Sequence, residues 1–126
     1  MKLADLDRGS VVLVAFPFTD LTATKVRPAL VLSSENLHRA RRDVILAAIS
    51  SVVRGKDRDP ATVVLLKGSE AFAGSGLRVT SAVDCGKLVT VQGALVLRLG
   101  RLGTGAMRRV TPLSAARWVS EPSPRA

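Results

Sequence analysis

Residues 9–34 read GSVVLVAFPFTDLTATKVRPALVLSS. Two apolar segments, residues 11–16 and 29–33, flank a polar connection that ends in KVRP. Successive residues of each segment are apolar, which is typical of strands that are covered on both faces. Pro28 cannot donate a ladder hydrogen bond and favours an extended conformation at Arg27, so it predicts the start of a strand rather than a helix. Arg27 is therefore expected where a loop meets a strand, and loops commonly carry functional side chains.

The rest of the chain contains further short apolar runs, which turn-forming residues separate. The runs cover residues 44–49, 62–66, 78–85 and 88–92. Five or six short strands favour an all-β barrel or sandwich over a βαβ sheet.

Helical patterns occur in two places. Residues 34–42 are compatible with one or two helical turns, and apolar residues recur at helical spacing over residues 106–113. A proline inside a helix costs about 3 kcal/mol, so Pro112 is expected to end one short helix or to start another. We expect a single domain over residues 1–119 and a flexible tail over residues 120–126.

The charge balance is strongly basic. The 126 residues include 19 Lys and Arg against 10 Asp and Glu, a net charge of +9. A small domain with this excess attracts polyanions, so RNA or DNA is the leading class of partner, although the excess could also serve solubility alone. Aromatic residues make up only 3% of the chain and Tyr is absent. Recognition must therefore depend on arginine, backbone groups and hydroxyls rather than on base stacking.

The scarcity of cysteine and histidine limits the chemistry that is available. One cysteine, Cys85, and one histidine, His38, form neither an internal disulfide nor a four-ligand zinc site, so we expect no metal and no cofactor. His38 lies among arginines in a polar segment and is interpreted as a surface residue. The sequence has no signal-peptide pattern at its start and no apolar run near the roughly 20 residues of a membrane span, so a cytoplasmic location is expected.

The run VVLVAFPFTDLTATKVRPALVLSS resembles the N-terminal signature of the PemK/MazF family of toxin endoribonucleases. Three weaker landmarks of the family follow in the same order: a G-L-x-x-x-S pattern at residues 76–81, K-L-x-T-V at 87–91 and R-x-G-x-L at 98–102. Together they extend the resemblance over roughly residues 9–110.

The resemblance implies a fold, an activity and partners. The fold is a mainly β, SH3-like barrel with short helices, including a C-terminal helix. The activity is metal-independent, sequence-selective cleavage of single-stranded RNA, in particular mRNA, by a toxin of a type II toxin–antitoxin system. The partners are a cognate antitoxin and a second copy of the chain in a homodimer.

The resemblance also assigns roles to residues. Arg27 matches the arginine of the R-P motif that the family associates with catalysis, and its planar, permanently charged guanidinium suits clamping of phosphate oxygens. From position alone, an ion pair with a neighbour such as Asp20 would be the simpler interpretation. Ser50 matches a catalytic threonine and keeps the hydroxyl. The substrate-binding residues that the resemblance implies are Phe18, Thr19, Lys25, Ser51 and Lys87.

Two departures from the family pattern leave alternatives open. Some branches place a basic residue and an acid just before the K-L-x-T strand as an acid–base pair, whereas this chain has Asp84 and Gly86 there. Neither residue forms the expected pair, so reduced or altered activity is one expectation. The alternatives are a noncatalytic RNA-binding barrel and a gyrase-targeting toxin of the same fold.

Overall fold

The computed structural model describes residues 6–16, 25–34, 42–92 and 96–119. Within these ranges the chain forms six strands, a single turn of 3-10 helix at Lys56–Arg58 and one α-helix. The strands and the helix are β1 Ser10–Phe16, β2 Lys25–Val31, β3 Asp43–Ser50, β4 Thr62–Leu65, β5 Ser81–Gln92, β6 Val96–Arg101 and α1 Thr104–Val119.

The strands form one antiparallel sheet in the order β4-β5-β3-β2-β1-β6. The edge strands β4 and β6 are joined through the connection that follows β4. In this connection the carbonyl of Gly74 accepts a hydrogen bond from the Arg101 N–H of β6, at 2.8 Å. The mainly β, barrel-like fold with a C-terminal helix that the sequence predicts is confirmed.

Two apolar clusters lie on opposite faces of the sheet, as the uninterrupted apolar strands predict. On β1, Val11 belongs to the first cluster, and Val12 and Val14 belong to the second. The first cluster is covered by α1, through Ala106 and Val110. All three strand residues are fully buried, so β1 is covered on both faces.

The strand bounds differ from the sequence prediction in three places. Residues 78–85 and 88–92 were expected to be separate strands, but β5 is continuous over Ser81–Gln92. Its pairing with β3 contains an irregularity between Ala47 and Ala48. This irregularity interrupts the apolar pattern of the β5 sequence without ending the strand. Strand β6 was not predicted, because its apolar residues do not follow a clean alternation. The start of β2 at Lys25 also places Arg27 inside a strand rather than at the junction between the loop and the strand.

The helix α1 passes through Pro112, so the prediction of a break there was wrong. Proline removes one backbone hydrogen bond, but the buried residues Ala106, Val110 and Ser114 fix both sides of this position against the core. The Ser114 hydroxyl also donates hydrogen bonds to the carbonyls of Val110, at 3.2 Å, and Thr111, at 3.1 Å. Tertiary packing therefore outweighs the local cost of the proline.

Polar contacts of the segment before β1 attach it to the helix and to β6. The Arg8 guanidinium donates to the carbonyl of Leu32 and, at 2.8 Å, to the Thr111 hydroxyl on α1. Asp7 forms an ion pair with Arg101. Partial burial by itself raises the pKa of Asp7, but the hydrogen bond and charge of Arg101 lead the opposing contributions, which together hold this pKa below its ordinary value.

Two sequence predictions fall outside the described residues: the helical turns over residues 34–42, of which 35–41 are not described, and the tail over 120–126. Among the described residues, no helix has the length and apolar character needed to cross a membrane.

Candidate functional site

A polar cleft of about 360 Å³ opens where β2, β3, β4 and β5 meet the 3-10 turn. We call it Cleft A. Its polar and charged lining residues are Arg27, Ser50, Lys56, Thr62, Asp84 and Lys87. Three cations and one carboxylate thus share a single cleft, as suits an anionic ligand.

The strand register explains why these residues meet. Residues directly opposite each other in an antiparallel pair share a face, and so do residues two apart in one strand. Ser50 lies opposite Ala82, and Ala48 lies opposite Asp84, so Ser50 and Asp84 are diagonal neighbours on one face. Asp84 in turn lies opposite Thr62 of β4. The face that carries the second apolar cluster therefore ends in these polar residues.

Arg27 joins the same face from β2. The pairing of β2 with β3 is described from Ala29, which lies opposite Ala48. The same register, continued by two residues, sets Arg27 level with Ser50. The intervening Pro28 has no N–H, and it pairs with Leu13 of β1 just beyond the described β2–β3 ladder. The pairing of β2 with β3 therefore stops before Arg27, at the position where this residue lines Cleft A.

The Arg27 side chain is exposed, and its guanidinium makes no hydrogen bond or ion pair with any residue in the described ranges. The partner that the simpler interpretation suggests, Asp20, lies outside those ranges. All five N–H donors of the guanidinium thus remain available for a ligand.

Ser50 is the last residue of β3 and is partly buried. Its Oγ accepts a hydrogen bond from the N–H of Val52 at 3.0 Å. This contact uses a lone pair of the oxygen and leaves the hydroxyl proton free. The Ser50 hydroxyl is therefore arranged to donate a hydrogen bond into Cleft A.

The irregularity in β5 supplies the remaining charged groups. Ala48 pairs with Asp84 and Ala47 with Leu88, so three residues of β5 between these pairs have no counterpart on β3. Asp84 stabilises this bulge, because its Oδ1 accepts a hydrogen bond from the Gly86 N–H at 3.0 Å. The bulge carries Lys87 to the cleft, in line with the frequent placement of bulges beside functional sites.

Cys85 lies within the same bulge but faces the first apolar cluster. Burial, with a further contribution from the Asp84 charge, raises the pKa of its thiol to about 11. Since the thiolate is the reactive form, Cys85 is an inert core residue.

A second cleft, of about 600 Å³, lies on the other side of Arg27. We call it Cleft B. Its lining is mainly apolar and includes Leu13, Val26, Leu77 and Val79. Arg27 lines both clefts and therefore separates a charged cleft from an apolar one.

The structure brings together three of the predicted site residues, Arg27, Ser50 and Lys87. Ser51, which follows the last residue of β3, lines Cleft B instead. The other predicted residues, Phe18, Thr19 and the side chain of Lys25, lie outside the described part of the structure.

Three further residues of Cleft A were not predicted, namely Lys56, Thr62 and Asp84. Lys56 lies in a segment of mixed charge, and it reaches the cleft through the 3-10 turn. The Thr62 hydroxyl oxygen is buried and has no partner among the described residues. No local sequence signal distinguishes Lys56 and Thr62, because strand register and turn geometry bring them to the cleft. The sequence marks Asp84 only as a departure from the acid–base pair of the family pattern.

The side chains of the described ranges contain no group of three or more His, Cys, Asp or Glu that could hold a metal ion. The polar groups of Cleft A are mainly donors, which suit an anion rather than a cation.

The family model described as the PemK-like, MazF-like toxin of type II toxin–antitoxin systems matches residues 7–113. A search of curated proteins found no match.

Several solved structures share the fold. MazF from Deinococcus radiodurans is 19% identical with a TM-score of 0.70, and the alignment covers 90% of this chain and 96% of that one. The toxin MazF-mt6 of Mycobacterium tuberculosis is 19% identical with a TM-score of 0.66, covering 87% of this chain and 96% of that one. An endoribonuclease in complex with its cognate antitoxin, from a mycobacterial species, is 17% identical with a TM-score of 0.69, covering 93% and 97%. The match over most of the sequence shows that the chain belongs to the PemK-like, MazF-like toxins of type II toxin–antitoxin systems.

Proposed function

We propose that this toxin is an endoribonuclease that cuts single-stranded RNA, with mRNA as its cellular substrate, and that it needs no metal ion. The ribose 2′-hydroxyl attacks the adjacent phosphorus, and the products carry a 2′,3′-cyclic phosphate and a 5′-hydroxyl. The observation that carries the proposal is the guanidinium of Arg27, which has no partner among the described residues, in a cleft with the Ser50 hydroxyl.

Arg27 stabilises the transition state. As the new P–O bond forms, negative charge increases on the non-bridging phosphate oxygens, and a planar guanidinium can bind two of them at once. Its exposed position allows an RNA strand to reach it without rearrangement of the sheet. No internal ion pair with a described residue has to break first.

Ser50 positions the phosphate. Since the Val52 N–H occupies a lone pair of Oγ, the hydroxyl proton is directed away from the backbone and can bond to a phosphate oxygen. Serine lacks the methyl group that restricts the threonine rotamer, and the Val52 contact supplies part of that restriction instead.

Lys56 and Lys87 line the same cleft and bind the neighbouring phosphates of the RNA strand. With Arg27 they concentrate three positive charges on one surface of a chain that carries +9 overall. This arrangement supports a polyanionic substrate more strongly than the net charge alone does.

The proposal includes partners. Structural neighbours were solved with an antitoxin, and the basic charge of this chain fits an acidic antitoxin that competes with RNA. We also propose a homodimer, in which a two-fold axis joins two basic grooves into a longer channel. An mRNA substrate places the toxin in the cytoplasm.

The test is incubation of the purified protein with a long single-stranded RNA in the presence of EDTA. We expect fragments with 2′,3′-cyclic phosphate and 5′-hydroxyl ends, and none from an Arg27→Ala variant. Binding without cleavage would instead identify a noncatalytic RNA-binding barrel. The absence of both would leave a gyrase-targeting toxin as the remaining alternative.

A further inference from the structure

Asp84 is the one carboxylate among the described residues that line Cleft A. It is partly buried, and it makes no ion pair with Arg27, Lys56 or Lys87 although all three line the same cleft. Because none of these three cations forms an ion pair with it, the Asp84 carboxylate is available to a ligand.

The hydrogen bonds of Asp84 are divided between its two oxygens. Oδ1 accepts from the Gly86 N–H at 3.0 Å and so fixes the orientation of the carboxylate. Oδ2 has no hydrogen-bond partner among the described residues. One oxygen therefore holds the group in place while the other remains free to accept a proton.

The strand register sets the distance from Asp84 to the phosphate-binding groups. Ser50 and Asp84 are diagonal neighbours on adjacent strands, a relation that separates residues by about 7–8 Å. This gap is too long for a direct contact between two short side chains. It leaves room for one ribose and its 3′-phosphate, with the phosphate at Arg27 and Ser50 and the 2′-hydroxyl at Asp84.

We propose that Asp84 is the general base of the cleavage reaction, and this inference rests on the proposed ribonuclease function. The carboxylate takes the proton of the ribose 2′-hydroxyl, while the 2′-oxygen of the ribose forms a bond to phosphorus. The bond from phosphorus to the 5′-oxygen breaks, and that oxygen takes a proton from a water molecule. The hydroxide that remains recovers the proton from Asp84, so the enzyme returns to its starting state.

The groups that face Asp84 from the surrounding elements are cationic or neutral. Arg27 on β2, Lys56 in the 3-10 turn and Lys87 on β5 supply positive charge, while Ser50 on β3 and Thr62 on β4 are neutral. The adjacent Cys85 stays protonated because its pKa is raised to about 11. No second acid among the described lining residues competes for the proton.

The experiment compares Asp84→Asn with the unaltered protein and with Glu70→Gln, which removes one negative charge from an exposed position outside Cleft A. Asparagine keeps the Oδ1 acceptor for the Gly86 N–H, so the bulge should remain intact. Cleavage of a long single-stranded RNA is measured from pH 6 to 8, and binding is measured with an all-deoxy copy of that RNA, which lacks the 2′-hydroxyl. Asp84→Glu, which keeps a carboxylate, is the second variant.

We expect Asp84→Asn to reduce the cleavage rate by about 100-fold or more, which is the usual contribution of a positioned base. Its binding of the all-deoxy strand should be unchanged or tighter, because a negative charge has been removed. Its residual cleavage should rise about tenfold per pH unit, since hydroxide then has to remove the proton. Asp84→Glu should cleave faster than Asp84→Asn, and Glu70→Gln should match the unaltered protein.

Cleavage by Asp84→Asn at the rate of Glu70→Gln would overturn the assignment of Asp84 and leave the ribonuclease proposal standing. Loss of folding or of strand binding in Asp84→Asn, with no recovery of cleavage in Asp84→Glu, would show a structural role instead and would also overturn it. If the unaltered protein itself does not cleave RNA, both proposals fall together.

Discussion

At the scale of single residues, Cleft A depends on side chains that the fold leaves unsatisfied. The guanidinium of Arg27 and the Oδ2 of Asp84 have no partners among the described residues. Asp7 and Arg8, by contrast, are used in contacts to Arg101 and Thr111 that hold the structure together. The distinction separates the residues that we propose to bind a ligand from the residues that bind the rest of the chain.

Replacement of Arg27 tests transition-state stabilisation. We expect Arg27→Ala to reduce cleavage by at least 100-fold, the scale observed when one donor to a developing oxyanion is removed. Arg27→Lys should recover little, because an ammonium group cannot bind two oxygens in the planar geometry of a guanidinium. Cleavage rates of both variants provide the measurement.

Stability measurements complete the test of Arg27. Since its side chain is exposed and unpaired among the described residues, Arg27→Ala should change the free energy of unfolding in urea by less than about 0.5 kcal/mol. Arg108→Ala, an exposed arginine on α1, is the matched control for both measurements. A large loss of stability in Arg27→Ala would indicate that the arginine supports the fold.

Replacement of Ser50 tests the phosphate-positioning hydroxyl. A hydrogen bond to a charged group contributes about 1.5–3 kcal/mol, so Ser50→Ala should slow cleavage by roughly 10-fold to 100-fold. Ser50→Thr keeps the hydroxyl and should retain most of the activity. Ser51→Ala should have the smaller effect, since Ser51 lines Cleft B. Equal rates for Ser50→Ala and the unaltered protein would remove Ser50 from the site.

At the scale of elements, sequence reasoning succeeded where one pattern determines the structure by itself. The uninterrupted apolar residues of β1 predicted a strand buried on both faces, and Val11 and Val12 are both fully buried. The bulge in β5 was missed because it depends on the pairing of two distant strands. Asp84 received no role because it does not form the acid–base pair of the family pattern, and its position opposite Ala48 and Thr62 is a property of the sheet that the sequence does not show.

The closure between the β4–β5 connection and β6 depends on Gly76. This residue has φ +78°, and an added Cβ would lie 2.5 Å from the carbonyl oxygen of Leu99. Gly76→Ala combines a left-handed conformation, at about 1–2 kcal/mol, with overpacking against backbone, at about 1–3 kcal/mol. Gly68 is the control, because it has φ +90° but nothing within 4 Å of an added Cβ.

We therefore expect Gly76→Ala to lower the free energy of unfolding by at least about 1 kcal/mol more than Gly68→Ala does. Urea denaturation of the two variants measures the difference. Equal destabilisation would mean that the close approach between Gly76 and Leu99 contributes nothing to the packing of the β4–β5 connection against β6.

Pro112 makes α1 less stable than alanine at the same position would. Pro112 is exposed, and proline in a helix interior costs about 3 kcal/mol relative to alanine. We expect Pro112→Ala to raise stability by about 1–3 kcal/mol, seen as a higher Tm in thermal unfolding monitored by circular dichroism. A lower Tm would show that the helix requires the proline at this position.

At the scale of the whole molecule, the charge of +9 is divided between the cleft and the remaining surface. The composition predicts a polyanion-binding surface, but it does not say which cations line Cleft A. Arg27, Lys56 and Lys87 come from β2, the 3-10 turn and β5, and only the folded chain brings them together. Exposed cations such as Arg108 and Arg109 on α1 carry similar charge without lining Cleft A.

The salt dependence of RNA binding separates these two groups of cations. Each phosphate neutralised on a single strand contributes about −0.7 to the slope of log K against log salt concentration. Simultaneous replacement of Arg27, Lys56 and Lys87 by alanine should therefore make the slope shallower by about 2, as measured by fluorescence anisotropy with a labelled single-stranded RNA. The control replaces three exposed cations outside Cleft A, Lys67, Arg108 and Arg109, and removes the same total charge. If binding followed net charge alone, both triple variants would shift the slope equally, whereas a defined phosphate track through Cleft A requires the larger change in the first.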